Sequence, residues 1–170
     1  WIGLLSLFLA FSLYRRPDVF FGAQFWAEDG AMWFAQAYEQ GIASLLVTHS
    51  GYFQTVSRLG ALLATQFSLV SAPLVMNSIA ILVRILPLVF LWSLRSKHII
   101  KTRFPLLLIS LVYLFLPHSA EVFGNITNAH WHLALLVLVL AFVDAPKTYV
   151  GRGVDAAVHS IAALSGPFSI

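Results

Sequence analysis

Long apolar runs separated by short polar connections make up most of the chain. The run at residues 73–94 has the length expected of a membrane-spanning helix, about 20 residues. The runs at 104–117 and 131–143 are shorter but almost free of polar side chains, and another begins near Val154. This pattern predicts an all-α fold, a multi-spanning bundle of transmembrane helices in which residues 1–170 form a single membrane domain.

The first apolar run reads WIGLLSLFLAFSLY and covers residues 1–14. It is too short to cross about 30 Å of hydrocarbon comfortably. No small-residue cleavage site follows it, which favours a clipped first helix over a signal peptide. Because the chain begins at Trp1 and stops inside an apolar stretch, we expect it to be the N-terminal portion of a longer protein.

Residues 55–72 carry a polar and an apolar stripe at helical spacing. The polar stripe consists of Gln54, Arg58, Ala61, Thr65 and Ser68. The opposite stripe consists of Val56, Leu59, Leu63, Phe67 and Val70. This spacing predicts an amphipathic helix that lies in the membrane interface, within the first extracytoplasmic loop. The alternative is that the segment spans the membrane.

Basic residues are concentrated in two connections. Residues 95–103 and 144–153 carry six of the ten Lys and Arg, and residues 118–130 carry none. The positive-inside tendency predicts that the first two are cytoplasmic and the third extracytoplasmic. If 55–72 lies flat, residues 15–54 are also extracytoplasmic, which is the arrangement we expect. If it spans, residues 15–54 are cytoplasmic, and their two arginines fit the charge rule better.

Composition points to the same class of protein. The chain is 59% hydrophobic and 10% charged, with a mean hydropathy of +0.85. Soluble domains carry about 25% charged residues, so an integral membrane protein surrounded by lipid is predicted. The net charge of +3 fits orientation in a bilayer rather than nucleic-acid binding. The absence of cysteine excludes disulfides and thiolate metal sites.

Two adjacent carboxylates, Glu28 and Asp29, stand in the aromatic stretch FWAEDGAMWFAQAYEQG. One interpretation is that Asp29 caps the N-terminus of a helix that ends at Gly41. The other is a chemical role. Apolar surroundings raise the proton affinity of a carboxylate, which suits a general base. The two roles can coexist.

Three stretches resemble the N-terminal part of the GT-C glycosyltransferases, multi-spanning enzymes that use polyprenyl-phosphate sugars. They are FWAEDGAMWFAQAYEQG, GYFQTVSRLGALL and RSKHIIKTR, in that order along the apolar runs. The resemblance covers residues 1–145, mostly as the order of hydropathy. It implies sugar transfer to a glycan or lipid acceptor at the extracytoplasmic face of a bacterial inner membrane. It also implies Asp29 as the general base and Glu28 as a supporting group, or as a ligand if a divalent metal is used.

Polar residues elsewhere are candidates for substrate binding. Arg58 offers a planar fork of donors for a lipid phosphate, or it is an interfacial arginine whose head reaches water. Arg84 lies midway along a spanning run, where a charge costs at least about 2.5–3.5 kcal/mol. It should therefore face the bundle or a hydrated cavity, unless the span is shifted and Arg84 lies near an interface. Tyr52 and Gln54 adjoin Arg58 and are placed in the same site.

Asn125, Asn128 and His130 either hydrogen-bond a sugar or cap the helix that follows them. No metal site is predicted, because His130 and His132 are two residues apart and do not share a helical face. A second possible function is a transporter or flippase for a lipid-linked glycan or another anion, with Arg84 and Arg58 along the pathway. A third is a non-catalytic membrane scaffold.

Overall fold

A computed structural model describes residues 2–117 and 121–167 of the chain. Eight α-helices are formed in these ranges: α1 (Ile2–Arg15), α2 (Asp18–Phe21), α3 (Ala35–Gln40), α4 (Thr55–Ala64), α5 (Ala72–Leu91), α6 (Arg103–Phe115), α7 (Ala129–Phe142) and α8 (Tyr149–Ser165). A π-helical segment, Asp29–Phe34, leads directly into α3, and 3-10 helices cover Gly41–Leu46 and Leu94–Ser96. No strand is assigned in the described residues, and the predicted all-α class is confirmed.

Helix α5 is the longest element, and within the described ranges it alone is long and apolar enough to cross a bilayer. Helices α1, α6 and α7 have 13 or 14 residues. At 1.5 Å per residue they are about 20 Å long, against about 30 Å of hydrocarbon. The structure therefore gives one helix of spanning length where the sequence predicts several.

The core is built around α5, which packs against α1, α4 and α7. Small side chains allow α4 and α5 to approach closely, and Ala61, Ala64, Ala72 and Ala80 are all at most 2% exposed. Gly60 extends this contact to the loop before α7. A Cβ atom at Gly60 would lie 2.1 Å from Cδ1 of Ile126, so any larger residue would force the Ile126 side chain to shift.

The two basic connections meet at one end of the bundle, as predicted. The backbone N–H of Asp144 donates to the Arg95 carbonyl at 2.9 Å, and the Arg95 guanidinium forms a bidentate pair with Asp155 at 2.8 and 2.6 Å. We call residues 92–103 and 143–152 the basic end. The opposite end, here called the loop end, consists of residues 16–54 and 121–128.

Helix α4 belongs to the loop end at both of its termini. Its first residue, Thr55, donates its hydroxyl to the carbonyl of Leu164 near the end of α8, and residues 65–71 lead from it to the start of α5. Ten residues give a helix about 15 Å long. The predicted helix 55–72 is thus shorter than expected and does not run the length of α5.

Two helices bury polar side chains and leave large apolar side chains exposed. Helix α4 buries Ser57 and Arg58 but leaves Leu59 and Leu63 44% and 49% exposed. Helix α6 buries Ser110 on its inner face. The outer face of α6 exposes Phe104, Leu107, Leu108, Ile109, Leu111 and Val112. Apolar surface this continuous marks contact with another protein or with a membrane.

Candidate functional site

The Asp29 carboxylate ties together two distant parts of the loop end. Its Oδ1 accepts the backbone N–H of Thr127 at 2.9 Å and the Thr127 hydroxyl at 2.5 Å, and its Oδ2 accepts the N–H of Ile126 at 3.2 Å. The side chain is completely buried. Asp29 therefore satisfies donors that precede α7, and its oxygens make no bond at the start of its own helix. The interpretation of Asp29 as a cap of its own helix is wrong.

Burial raises the pKa of Asp29, and the nearby charge of Glu28 raises it further. The hydrogen bonds from Thr127 and Ile126 oppose this shift, but burial outweighs them. Glu28 is only partly buried. The expected end of the helical segment is confirmed, since α3 stops at Gln40 and Gly41 follows with φ +58°.

Thr127 extends the Asp29 contact to a buried aromatic residue. The indole Nε1 of Trp33 donates to the Thr127 hydroxyl at 2.7 Å, and that hydroxyl donates to Asp29. Thr127 is partly exposed, whereas Trp33 is 1% exposed. The hydroxyl keeps a free lone pair in this arrangement, because it accepts one bond and donates its single proton.

Arg58 packs on the other side of Trp33. Its guanidinium carbon lies 5.0 Å from the centre of the indole ring, its Nε donates to the Phe53 carbonyl at 2.9 Å, and its Nη1 donates to Gln36 Oε1 at 2.8 Å. Arg58 is 1% exposed, so the expectation of an interfacial arginine reaching water is wrong. The Arg58 side chain points inward because α4 directs its polar face toward the core.

Two polar atoms near Arg58 lack partners in the described part of the chain. They are Nη2 of Arg58 and Oε1 of Gln54. Gln54 has a left-handed backbone conformation, with φ +52°, immediately before α4. Tyr52 pairs with His49 through two backbone hydrogen bonds of 2.7 and 3.1 Å, and its side chain is partly buried.

Three guanidinium groups surround the ring of Phe123. The guanidinium carbons of Arg84, Arg15 and Arg16 lie 4.0, 5.4 and 5.9 Å from the ring centre. Of these three, Arg16 forms an ion pair, at 2.7 Å to Asp18. Three guanidinium groups around one aromatic ring make this a cationic cluster.

A cavity of about 320 Å³ lies beside this cluster. Its polar lining comes from the side chains of Arg16, Asp18, Gln24, Asn77 and Asn125, with Trp26 and Phe123 among the aromatic walls. Asn77 is fixed by a hydrogen bond from Nδ2 to the Val19 carbonyl at 3.0 Å. Gly124 completes the wall with φ +74°, and a Cβ there would lie 2.7 Å from Cγ2 of Val19.

Asp29 holds two walls of this cavity together. The N–H of Asp29 donates to the Trp26 carbonyl at 2.6 Å, while its carboxylate binds Ile126, which directly follows the lining residues Gly124 and Asn125. The carboxylate itself does not line the cavity. Asp29 thus fixes the positions of residues that line the cavity without lining the cavity itself.

Arg84 faces the bundle interior and is 2% exposed, as expected for a charge within an apolar helix. Its Nη2 donates to the carbonyls of Tyr113 and Leu114 at 3.2 and 3.3 Å, near the end of α6. The Tyr113 hydroxyl donates to the Arg84 carbonyl at 2.7 Å and lies 2.8 Å from Nδ1 of His132. Nη1 of Arg84 has no partner among the described residues.

The polar residues before α7 mostly bind their own loop. Asn125 accepts the N–H of Asn128 at 3.0 Å, one residue before α7 begins, and it also lines the cavity. Asn128 instead donates its amide to the Glu121 carbonyl at 2.9 Å, and Nδ1 of His130 donates to the Thr127 carbonyl at 2.9 Å. Neither Asn128 nor His130 caps α7 through its side chain.

Among the residues predicted for the site, Asn125 alone lines this cavity. Sequence reasoning missed Arg16, Asn77, Phe123 and Thr127. Phe123 and Thr127 both stand in residues 118–130, the connection without Lys or Arg, but nothing in the sequence pattern marks either residue. His118 lies outside the described residues. In residues 2–117 and 121–167, no three His, Asp or Glu side chains converge in a way that could hold a metal ion.

No family model, curated protein or solved structure matches this chain.

Proposed function

We propose that this chain is the membrane-embedded part of a glycosyltransferase that takes a sugar from a polyprenyl-phosphate donor. The observation that carries the proposal is the cavity of about 320 Å³ at the loop end, which is lined by Arg16 and by Phe123, the ring that Arg15 and Arg84 also contact. A phosphate leaving group needs a counter-charge, and arginine matches phosphate oxygens with a planar fork of donors. Asn77, Asn125 and Gln24 supply amides of the kind that hydrogen-bond sugar hydroxyls.

Membrane embedding is supported by the inverted polarity of α4 and α6. The leucines on the outer faces are unfavourable in contact with water. The polar side chains of Ser57, Arg58 and Ser110 are instead buried and hydrogen-bonded within the protein. In this proposal α5 spans the bilayer, and α1, α6 and α7 cross it with their flanking segments. The loop end is extracytoplasmic and the basic end is cytoplasmic, following the distribution of Lys and Arg.

Asp29 is the general base in this proposal, and Thr127 connects it to the acceptor. The acceptor hydroxyl gives its proton to Oγ1 of Thr127, whose own proton passes to Oδ1 of Asp29. The acceptor oxygen forms a bond to the anomeric carbon, and the bond from that carbon to the phosphate oxygen breaks. The departing phosphate keeps the electron pair of that bond, and Arg16 in the cavity wall stabilises its negative charge. A raised pKa makes Asp29 a better proton acceptor than an exposed carboxylate.

The test uses the full-length protein in lipid nanodiscs with a panel of polyprenyl-phosphate hexoses and measures the release of polyprenyl phosphate. Thr127→Val removes the hydroxyl but keeps the shape and the backbone N–H to Asp29. We expect it to lose about 10²–10⁴ in rate, the range for loss of general-base catalysis, while Thr127→Ser keeps activity. Trp33→Phe is the control for packing, because it removes the indole N–H from the same hydroxyl together with part of the buried ring.

Equal losses in Thr127→Val and Trp33→Phe would show that packing around Thr127, and not proton transfer, carries the effect. A wild-type protein that moves lipid-linked sugar across the bilayer without releasing polyprenyl phosphate would instead be a transporter. That outcome would reject the transferase proposal.

A further inference from the structure

A second cavity, of about 790 Å³, opens at the basic end between α1, the turn after α5 and the start of α6. Its charged lining residues are Lys97, Lys101 and Arg103, and no carboxylate lines it. It lies far along the bundle from Asp29 and the arginine cluster, because α5 and α6 run between the two ends. It is therefore a separate site from the one described above.

The positive charge of this cavity has no partner of opposite sign among the described residues. The carboxylates nearest in the fold are engaged elsewhere, since Asp155 pairs with Arg95 and Asp144 lies 3.3 Å from His98. Lys97, Lys101 and Arg103 are all exposed. Three cations around one opening favour a phosphate group as ligand.

The other walls of the cavity are apolar and fixed. They consist mainly of Leu4, Trp92, Ile100 and Leu106. The indole Nε1 of Trp92 donates to Ser110 Oγ at 2.8 Å, which holds the ring in place. The hydroxyl of Ser96 is engaged by the Ser93 carbonyl at 2.9 Å, so the three cations carry the binding of an anion.

The outer face of α6 begins at the mouth of the cavity. Phe104 is 73% exposed, and Leu107, Leu108 and Leu111 continue this apolar face along the helix. A free phosphate ion gains nothing from such walls. An amphiphile gains from both parts, because its head group meets the cations while its acyl chains lie along α6.

We propose that this cavity binds the head group of an anionic phospholipid, with its phosphate between Lys97, Lys101 and Arg103 and its acyl chains along α6. The inference rests on the membrane embedding proposed above and is independent of glycosyl transfer. An occupant of this kind anchors the basic end at the surface of the inner leaflet.

The experiment counts bound lipid on the full-length protein in detergent by native mass spectrometry. The probes are phosphatidylglycerol, phosphatidylcholine and inorganic phosphate, the last added in excess as a competitor. The test variant is Lys97→Gln/Lys101→Gln. The matched control is Lys147→Gln/Arg152→Gln, which removes the same charge from the same end but outside this cavity. Partition into a detergent phase is measured on each sample and reports embedding separately.

We expect the wild type to retain one phosphatidylglycerol and no phosphatidylcholine. The lysine variant should bind phosphatidylglycerol about 30-fold more weakly, and the control variant should bind it within about 3-fold of wild type. Equal losses in both variants would overturn the site in favour of diffuse charge. Displacement by inorganic phosphate would make the ligand a free phosphate. A protein that enters the detergent phase but retains no phosphatidylglycerol would overturn the inference alone, whereas failure to enter it would overturn the embedding.

Discussion

Asp29 and Thr127 are 98 residues apart in sequence, yet both the backbone N–H and the hydroxyl of Thr127 donate to the same carboxylate oxygen, at 2.9 and 2.5 Å. Through this contact the aromatic loop after α2 is fixed to the turn before α7. The contact lies directly behind the walls of the loop-end cavity. Its loss should therefore affect both the stability of the fold and the shape of the proposed donor site.

Asp29→Asn should destabilise the protein by about 1–3 kcal/mol, the range for a buried donor left unsatisfied. One of the two side-chain oxygens becomes an NH₂ group, and either orientation places it against an N–H of Ile126 or against the donors of Thr127. The measurement is the denaturant dependence of unfolding in detergent.

Glu28→Gln is the control for this prediction, because it changes the same charge at the neighbouring, partly exposed residue. It should alter stability by less than about 0.5 kcal/mol. An Asp29→Asn protein as stable as wild type would contradict the hydrogen-bonding arrangement. From the sequence alone, Asn is expected to replace Asp at this position without loss, because the two residues cap helices about equally well. That expectation does not apply here, since the Asp29 side chain does not cap its helix.

The positions of the long helices could be predicted from the apolar runs. Helices α5, α6 and α7 begin and end within three residues of the predicted bounds, because polar residues or prolines stand where each apolar run stops. Helix α4 ends eight residues early. Beyond it, the hydroxyl of Thr65 donates to the Leu62 carbonyl and Ser68 bonds Ser71, so side chains compete with helical hydrogen bonds.

The partners of the site residues could not be predicted. Sequence spacing shows that Arg84 and Arg58 are unusual within apolar helices, but not that Arg84 stacks on Phe123 or that Arg58 covers Trp33. Those contacts depend on how loops far apart in sequence fold over the ends of α4 and α5. Likewise, an acidic pair in an aromatic loop indicates that a carboxylate is buried. It does not show which residues donate hydrogen bonds to that carboxylate.

The stability of the protein should depend on pH through Asp29. Its pKa in the folded state is raised above the ordinary value of 3.8 by burial, so the folded protein binds more protons than the unfolded chain between these two values. The free energy of unfolding should therefore fall as pH rises through this window, and remain lower above it.

The measurement is the melting temperature of wild type and Asp29→Asn from about pH 4 to pH 7. The difference between the two proteins, wild type minus variant, should shrink as pH rises. A difference that grows with pH would mean that the hydrogen bonds from Thr127 and Ile126 outweigh burial and lower the pKa of Asp29.

Arg16 and Asp18 should affect donor binding in opposite directions. Arg16→Gln removes a guanidinium from the cavity wall and should weaken binding of a polyprenyl-phosphate hexose about 10-fold or more, the effect of losing a hydrogen bond to a charged group. Asp18→Asn removes the carboxylate that pairs with Arg16 at 2.7 Å and should tighten binding, because that carboxylate competes with the phosphate. Weaker binding in both variants would mean that the ion pair only shapes the loop.

The last prediction concerns which segments share a side of the membrane. The chain contains no cysteine, so each single-cysteine variant reports on one position. Thr48 and Glu121 are exposed at the loop end, and Lys101 is exposed at the basic end.

In intact cells, a membrane-impermeant thiol reagent should label Thr48→Cys and Glu121→Cys equally, and it should label Lys101→Cys only after the membrane is opened. The physical reason is that α4, at about 15 Å, is too short to cross about 30 Å of hydrocarbon, so in this proposal only α5 and α6 cross between Thr48 and Glu121. Labelling of Glu121→Cys without Thr48→Cys would show that residues 55–72 cross the bilayer, and would place Asp29 on the cytoplasmic side. Equal labelling of all three positions in intact cells would reject the proposed embedding.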